Sequence, residues 1–565
     1  MVARPNPYTE RPTMPATKIR AFSNCDTATV VWRTDASIAN CVGFALERQV
    51  DGARATSFVN TWVGFKGETH KDGDEQPSTF WPIQRFIWSD FEAKPGETLR
   101  YRVTPMLGPV DPANRKPGDL EKSAQGQSDW SDAVTVATGK TPGFEAWFNR
   151  GIVPAQWLAR QNPNKKSLQS NLQTTDAANR TFLGGQLMMG LFTLLQQVQQ
   201  SGNQIYAALY ELNDPELIGW LKAIGGKCNL LLGSGAYKSG EADENAAARK
   251  ELRLNSSVNI HDRLVKSPHF AHNKFVIFCD PQGQPESLWT GSTNWTVTGL
   301  CTQVNNGVLI RSPALAAAYR QRWEDLKDAG ATYPAGLATA ASTHATVKVG
   351  GVAVTAWNAP VDNFVDLDDA RVLIDAAKES VLFLMFNPGP QETLLNAILE
   401  LDPQRLFIHG IVNQDPGGGK KPLIKMTHQG QQLPPAAIDT ILPASLTEKS
   451  GWFDKEFQYN RVMIHSKVVV IDPFGEDPVV MTGSHNLGPK ASSKNDDNLV
   501  IIKGAKGLAE EYAVNIMGVY GHYKWLYDQA QRKGQPHFDG NEADDRWQQR
   551  FASGPALREV AFWLS

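Results

Sequence analysis

The chain has 565 residues, 41% of them hydrophobic and 20% charged, with a formal net charge of −3. Such a composition belongs to ordinary globular domains, and the length suggests three or four of them. No apolar run approaches bilayer-spanning length, and the near-neutral charge gives no chain-wide attraction for a polyanion, although a local basic groove stays compatible with it.

Met1-Val2-Ala3-Arg4-Pro5 lacks the basic-then-apolar pattern of a secretory signal. The expected location is therefore the cytoplasm, or the exterior by a route without a cleavable signal peptide. Cys25, Cys41, Cys228, Cys279 and Cys301 are odd in number and lack metal-ligand spacing, so they read as free buried thiols in a reducing compartment.

Residues 1–17 are rich in Pro and Thr and read as extended. Strand-like runs follow at 27–34, 43–50, 83–91, 99–106 and 131–138, separated by turn residues. In Leu99-Arg100-Tyr101-Arg102-Val103 the apolar and polar side chains alternate between two faces. With no helical stretch between the runs, residues 18–140 are expected to form an antiparallel β-sandwich. Trp32, Tyr101-Arg102-Val103 and Trp130-Ser131-Asp132-Ala133-Val134-Thr135-Val136 resemble a fibronectin type III domain. Trp32 and Tyr101 read as core residues, and Trp62, Trp81 and Trp88 as exposed aromatics.

Residues 141–179 read as a linker and packing segment, with the aromatic stretch 144–161 lying across a domain boundary. The pattern then changes. Apolar residues recur at helical spacing over 184–200, a strand is expected at 205–212, a helix at 215–224 with Pro215 in its first turn, and a buried strand at 228–232. A second series follows, with helices at 371–378 and 392–401 and strands at 381–386 and 405–412. Long helices close the two series at 313–327 and 508–532. Alternating strands and helices predict α/β layers.

The strongest signal is a repeated polar quartet on apolar strands. His272-Asn273-Lys274 leads into Phe275-Val276-Ile277-Phe278-Cys279-Asp280, and Gly291-Ser292-Thr293-Asn294 follows. His465-Ser466-Lys467 leads into Val468-Val469-Val470-Ile471-Asp472, followed by Gly483-Ser484-His485-Asn486. The histidines are 193 residues apart and the glycines 192, which indicates an internal duplication into halves at 180–335 and 345–535, with an extension at 536–565. The halves are expected to pack about a pseudo-two-fold axis that brings the motifs together. The longer second half holds Gly417-Gly418-Gly419-Lys420, read as a flexible turn because it lacks phosphate-loop spacing.

These motifs resemble those of the phospholipase D superfamily, which read His-x-Lys, four residues, Asp, then Gly-Ser-x-Asn. The second copy fits throughout; in the first, Asp280 comes one place late, implying either a bulge or a side chain turned to the opposite face. The resemblance implies halves built on mixed β-sheets flanked by helices, and phosphodiester cleavage through a covalent phosphohistidine. It implies catalytic His272, Lys274, Asn294, His465, Lys467 and Asn486, with Ser292, Ser484 and His485 touching substrate. Asp280, Asp472, Asn305 and Asp497 would support them.

One imidazole would attack phosphorus while the other protonates the leaving oxygen, and two lysines would hold the non-bridging oxygens, so neither metal nor cofactor is expected. In the superfamily a carboxylate thirteen residues after the motif serine orients the histidine of its own half. Asp497 has that place after Ser484, but Asn305 has it after Ser292. The expectation is therefore that His465, paired with Asp497, is the protonated acid and His272 the nucleophile. His269 and His272 read as facing opposite sides of a strand, which excludes a metal pair, and His428 is a candidate site-lining residue.

Three functions compete: a phosphodiesterase acting on phospholipid head groups by hydrolysis or transfer, a metal-independent nuclease, and a non-catalytic phosphate-binding adaptor. No basic, aromatic-interleaved stretch marks a nucleic-acid groove, and the aromatic content suits an acyl-chain surface, which inclines the reading to lipid and peripheral membrane contact. With both motifs on one chain, a monomer suffices for catalysis.

Overall fold

The computed structural model describes residues 16–69, 74–114, 116, 118–151, 172, 174, 177–235, 243–413, 439–441, 463–531 and 540–565. His428 and the run from Gly417 to Lys420 lie outside the described residues. The described residues fall into two compact units, one with those of 24–26 and 137–533, the other with those of 1–23, 27–136 and 534–565.

The larger unit is mixed α/β. Its first sheet has seven strands: β1 (Phe144–Phe148), β2 (Gln204–Leu209), β3 (Cys228–Leu232), β4 (Asn259–Asp262), β5 (Lys274–Cys279), β6 (Pro285–Gly291) and β7 (Asn306–Ile310). They are ordered β1-β7-β6-β5-β2-β3-β4. The second sheet has eight: β8 (His344–Val349), β9 (Val352–Ala359), β10 (Ser380–Met385), β11 (Phe407–Val412), β12 (Asp439–Ile441), β13 (Lys467–Ile471), β14 (Val479–Gly483) and β15 (Asp497–Lys503). Their order is β8-β9-β15-β14-β13-β10-β11-β12. In both sheets the strand that opens on the motif lysine is central. Leu209 of β2 pairs with Lys274 antiparallel, and Met385 of β10 pairs with Lys467 in the same way.

Strands such as β10 (SVLFLM) are apolar throughout because both faces are covered. Helices α1 (Ala178–Ser201), α2 (Pro215–Ile224), α3 (Ala246–Asn255), α4 (Pro313–Ala329), α5 (Val365–Asp375), α6 (Leu394–Glu400) and α7 (Lys506–Gln531) supply the cover. In the second sheet Leu367 and Ile374 of α5 and Leu394 and Ile398 of α6 bury against Val381, Phe383 and Val469. Among the described residues no helix is long and apolar enough to cross a membrane.

Several local expectations change. Residues 144–148 form the edge strand β1, with Trp147 stacked on Trp289 of β6 at 5.2 Å. The helix expected at 371–378 begins six residues earlier, at Val365. The strand pair β8–β9 and helix α3 lie in stretches where no element was anticipated.

The smaller unit has two main antiparallel sheets, besides a two-stranded antiparallel pairing of Asn60–Thr61 with Gln76–Pro77. Thr17–Ser23, Ala28–Thr34 and Ile87–Asp90 form one; Val134–Thr135, Thr98–Leu107, Cys41–Val50 and Ser57–Phe58, with Glu121–Lys122, form the other. Trp32 of the first sheet meets Phe44 of the second at 5.8 Å between ring centroids, and both Trp32 and Tyr101 are fully buried. Trp81 is also buried, contrary to the exposed reading, while Trp62 and Trp88 are half-buried and stack on each other at 5.8 Å. The chain's C-terminal end belongs to this unit. Trp547 packs on Phe86 at 5.5 Å and donates its indole N–H to the Cys41 carbonyl at 2.8 Å, and Trp563 lies 4.9 Å from Phe22.

Candidate active site

The motif glycines make the site possible. Gly291 has φ +156° and Gly483 has φ +142°; a Cβ there would come within 2.3 Å of the Asn306 carbonyl and 2.2 Å of the Asn498 carbonyl. Only glycine lets β6 and β14 close on the strands beside them, where the Ser292 and Ser484 amides donate to those carbonyls at 3.0 and 3.1 Å. Each serine hydroxyl then reaches the residue thirteen places on. Ser292 Oγ donates to Asn305 Oδ1 at 2.7 Å, and Ser484 Oγ to Asp497 Oδ1 at 2.7 Å. The serine hydroxyls thus hold the orienting groups, rather than standing open for substrate as expected.

From there the geometry crosses between the sheets. Asp497 does not meet His465; its Oδ1 lies 2.7 Å from Nδ1 of His272, whose motif belongs to the other sheet. His465 Nδ1 instead lies 3.0 Å from Asn305 Oδ1 and 3.0 Å from the Ser292 carbonyl. The expected pairing of His465 with Asp497 is therefore wrong, because the first residue of β15 lies against the neighbouring motif.

Lys274 Nζ donates to the His272 carbonyl at 2.7 Å, and Lys467 Nζ to that of His465. Tyr210 packs on His272 at 4.7 Å and under Lys274 at 4.8 Å; Phe386 does the same for His465 and Lys467, both at 4.8 Å. Both histidines precede their strands, which begin at Lys274 and Lys467, so strand alternation does not set their direction.

Crossed bonds hold the two motifs together. Asn498 Oδ1 accepts from Thr290 at 2.7 Å and Tyr319 at 3.3 Å, while Asn306 Nδ2 donates to Thr482 at 2.8 Å and Tyr512 at 3.0 Å. Two short parallel pairings are likewise reciprocal, Gln303–Val304 with Met463–Ile464, and Phe270 with Asn495. Behind Asp497, Asp496 is gripped by the buried Arg263 at 2.9 and 3.1 Å.

Burial, with Lys274 and Lys467 adding to it against Asp497, pushes His272 down to about 4. Burial and the same two lysines also hold His465 well below the usual histidine range. Burial lowers both lysines, opposed by Asp497 and Glu211. Burial raises Asp497, but His272, His485 and Lys274 together outweigh it and keep the carboxyl below its ordinary range. At neutral pH a neutral His272 therefore donates its Nδ1–H to an ionised Asp497. The two imidazoles and two ammonium groups influence one another's protonation, so they share one locus.

The remaining expected residues separate. Asn294 is in the site, its Nδ2 donating to Glu211 Oε2 at 2.7 Å. The amide oxygens of Asn294 and Asn486 are buried and bond no described residue. His485 is buried with both ring nitrogens engaged inside the fold: its Nδ1 accepts from the Leu487 amide at 2.9 Å, and Nε2 lies 3.1 Å from the buried Asp366.

Asp472 and Asp280 are structural. Asp472 accepts from the amides of Lys378, Glu379 and Ser380 at 2.7–2.9 Å. Asp280 caps its own turn through the Gln284 amide at 2.8 Å, and beside it the pairing shifts between Phe278 and Cys279, skipping Glu286 on β6. His269 stacks on Tyr333 at 3.9 Å and bonds the Lys494 carbonyl. No group of described residues is arranged to hold a metal ion.

Sequence reasoning missed Glu211. Its signal was a charged residue just past the carboxyl end of a buried strand, where α/β sheets place ligands.

Residues 194–327 and 371–517, a little under half of the chain, match the family described as cardiolipin synthase, PLD-like domain. All the histidines, lysines and asparagines gathered above lie within these phospholipase D-like segments. Among solved structures, the phosphatidylserine synthase of Haemophilus influenzae Rd KW20 is similar at 12% identity and TM-score 0.38, over 66% of this chain and 92% of that one. Nuc, a phospholipase D family member from Salmonella typhimurium, is similar at 19% identity and TM-score 0.21, over 26% of this chain and 91% of that one. Yeast tyrosyl-DNA phosphodiesterase is similar at 11% identity and TM-score 0.29, over 55% and 84%. No curated protein matches the chain.

Proposed function

We propose that the protein is a metal-independent phosphodiesterase that cleaves a phospholipid head group and passes the phosphatidyl group to water or an alcohol. The observation that carries the reading is the pair of buried imidazoles, each held through Nδ1 by a side chain from the other motif's sheet and each beside an ammonium group.

His272 keeps the role of nucleophile, on new grounds. Attack by its Nε2 on phosphorus leaves an N-phosphorylated imidazole bearing positive charge, which Asp497 at Nδ1 stabilises. His465, facing only neutral acceptors, is the stronger acid once protonated, and gives its proton to the departing oxygen. Water or an alcohol then returns a proton to His465 and attacks phosphorus as the P–N bond to His272 breaks. Lys274 and Lys467 neutralise the non-bridging oxygens, the task a metal ion would otherwise have. Asn294 and Asn486 add amide contacts.

The family description, cardiolipin synthase, supports the lipid choice. We also read the two sheets as copies of one unit related by a pseudo-two-fold axis, and the all-β unit as fibronectin type III-like. The reciprocal bonds of Asn306 and Asn498 support the former, and the paired antiparallel sheets the latter. One chain holds both motifs, so a monomer is sufficient for turnover.

The test is turnover of bis(p-nitrophenyl)phosphate in chelator, lost in both His272→Ala and His465→Ala. A phosphatidylcholine should be cleaved faster than single-stranded DNA; the reverse order would make the protein a nuclease. Trapped phosphate recovered on His465 would exchange the two imidazoles' roles.

A further inference from the structure

Glu211 stands two residues past Leu209, the partner of Lys274 across β2 and β5. The position two past Met385, the partner of Lys467, holds Asn387. Between each pair stands the aromatic ring that packs on its motif's histidine and lysine, Tyr210 or Phe386, so the two positions are comparable. One is a half-buried carboxylate and the other an exposed neutral amide. Glu211 bonds Asn294 at 2.7 Å, and its charge acts on both site lysines.

We infer that Glu211 is a specificity-determining residue that restricts the site to singly charged phosphodiesters and turns away doubly charged phosphate groups. The inference rests on the phosphodiesterase reading for the place of the phosphate. The charges of Glu211 and Asp497 act against those of Lys274 and Lys467, and a proton taken up by His465 together with the substrate then balances one phosphodiester anion. A second negative charge on the phosphate leaves the buried cluster uncompensated, which a poorly solvated site penalises. Hydrolysis of a phosphodiester produces such a charge, because a phosphomonoester is largely a dianion above about pH 6. Glu211 therefore favours entry of the substrate and departure of the product.

The experiment is calorimetric binding of inorganic phosphate and of diphenyl phosphate to the full-length protein at pH 8. Glu211→Gln keeps an acceptor for Asn294 while removing the charge. It is expected to tighten inorganic phosphate roughly tenfold, as one charge across several ångströms of partly wet protein would. Diphenyl phosphate, with half the charge to repel, should tighten by only about threefold on the same electrostatic grounds. Asn387→Glu should act oppositely, weakening phosphate more than the diester, and tests the idea even if Glu211→Gln misfolds. Equal effects on both anions, the signature of a merely structural hold on Asn294, would overturn the inference, as would no effect on either. If diphenyl phosphate binds and only this selectivity fails, the phosphodiesterase reading stands; if neither anion binds any of the three proteins, both readings fall.

Discussion

His272 and His465 sit at the mouths of equivalent strands, and each turns Nδ1 toward a group on the other sheet, held by a motif serine. His272 faces the carboxylate of Asp497 and His465 the amide of Asn305, otherwise similarly placed. Backbone geometry supplies two similar seats, and a single oxygen-for-nitrogen difference gives them unlike electrical surroundings. Two imidazoles of identical chemistry can then divide attack and proton transfer between them.

The comparison can be broken most severely at the rings themselves. Alanine at His272 or at His465 should lower kcat by at least about 10³-fold, the scale of losing a nucleophile or its acid, in single-turnover assays. If either variant retained most activity, the site would need only one imidazole.

A stability measurement reads the His272 environment independently. Its affinity for protons, at about 4, lies below that of an unfolded histidine, near 6.5. A depressed imidazole contributes stability in full above pH about 6.5, and loses it as pH falls toward about 4, because the unfolded chain binds the proton first. His272→Asn should remove on the order of 3 kcal/mol from that acid-side decline, followed by urea unfolding across the window.

The partners come next. Asp497→Asn should slow formation of the covalent intermediate by roughly 10²-fold, whereas Asn305→Asp should change it by less than about fivefold. Equal losses would mean that the two seats are electrically alike.

The smallest contrast lies between the motif aspartates. Asp472 collects three backbone amides and Asp280 one. Asp472→Asn should cost about 2 kcal/mol of unfolding free energy and Asp280→Asn less than about 1, both read from denaturant midpoints.

Much of the α/β layering was legible because buried strands and their flanking helices carry distinct apolar periods: the helix expected at 215–224 and the strand at 228–232 coincide with α2 and β3. The extra residue before Asp280 was readable as a bulge or a turned side chain; the pairing does shift beside it, but the skipped residue, Glu286, is on β6. The crossing of Asp497 to His272 was not readable, because spacing along the chain records which strand a residue precedes and not which neighbour its loop will face. His485 misled for a related reason. Its motif position suggested substrate, while Asp366, far away in sequence on α5, captures the ring. The packing of Trp547 on Phe86 joins residues more than four hundred positions apart, beyond any local pattern.

The dependence of His272 on Asp497 also imposes an order of events during synthesis. His272 emerges from the ribosome well before the carboxylate bonded to it, and the strands bearing Asn306 and Asn498 can lock together only after β15 has been made. A nascent chain holding only the first motif has no assembled centre, so the paired imidazole arrangement forms only after the second motif and β15 have been made.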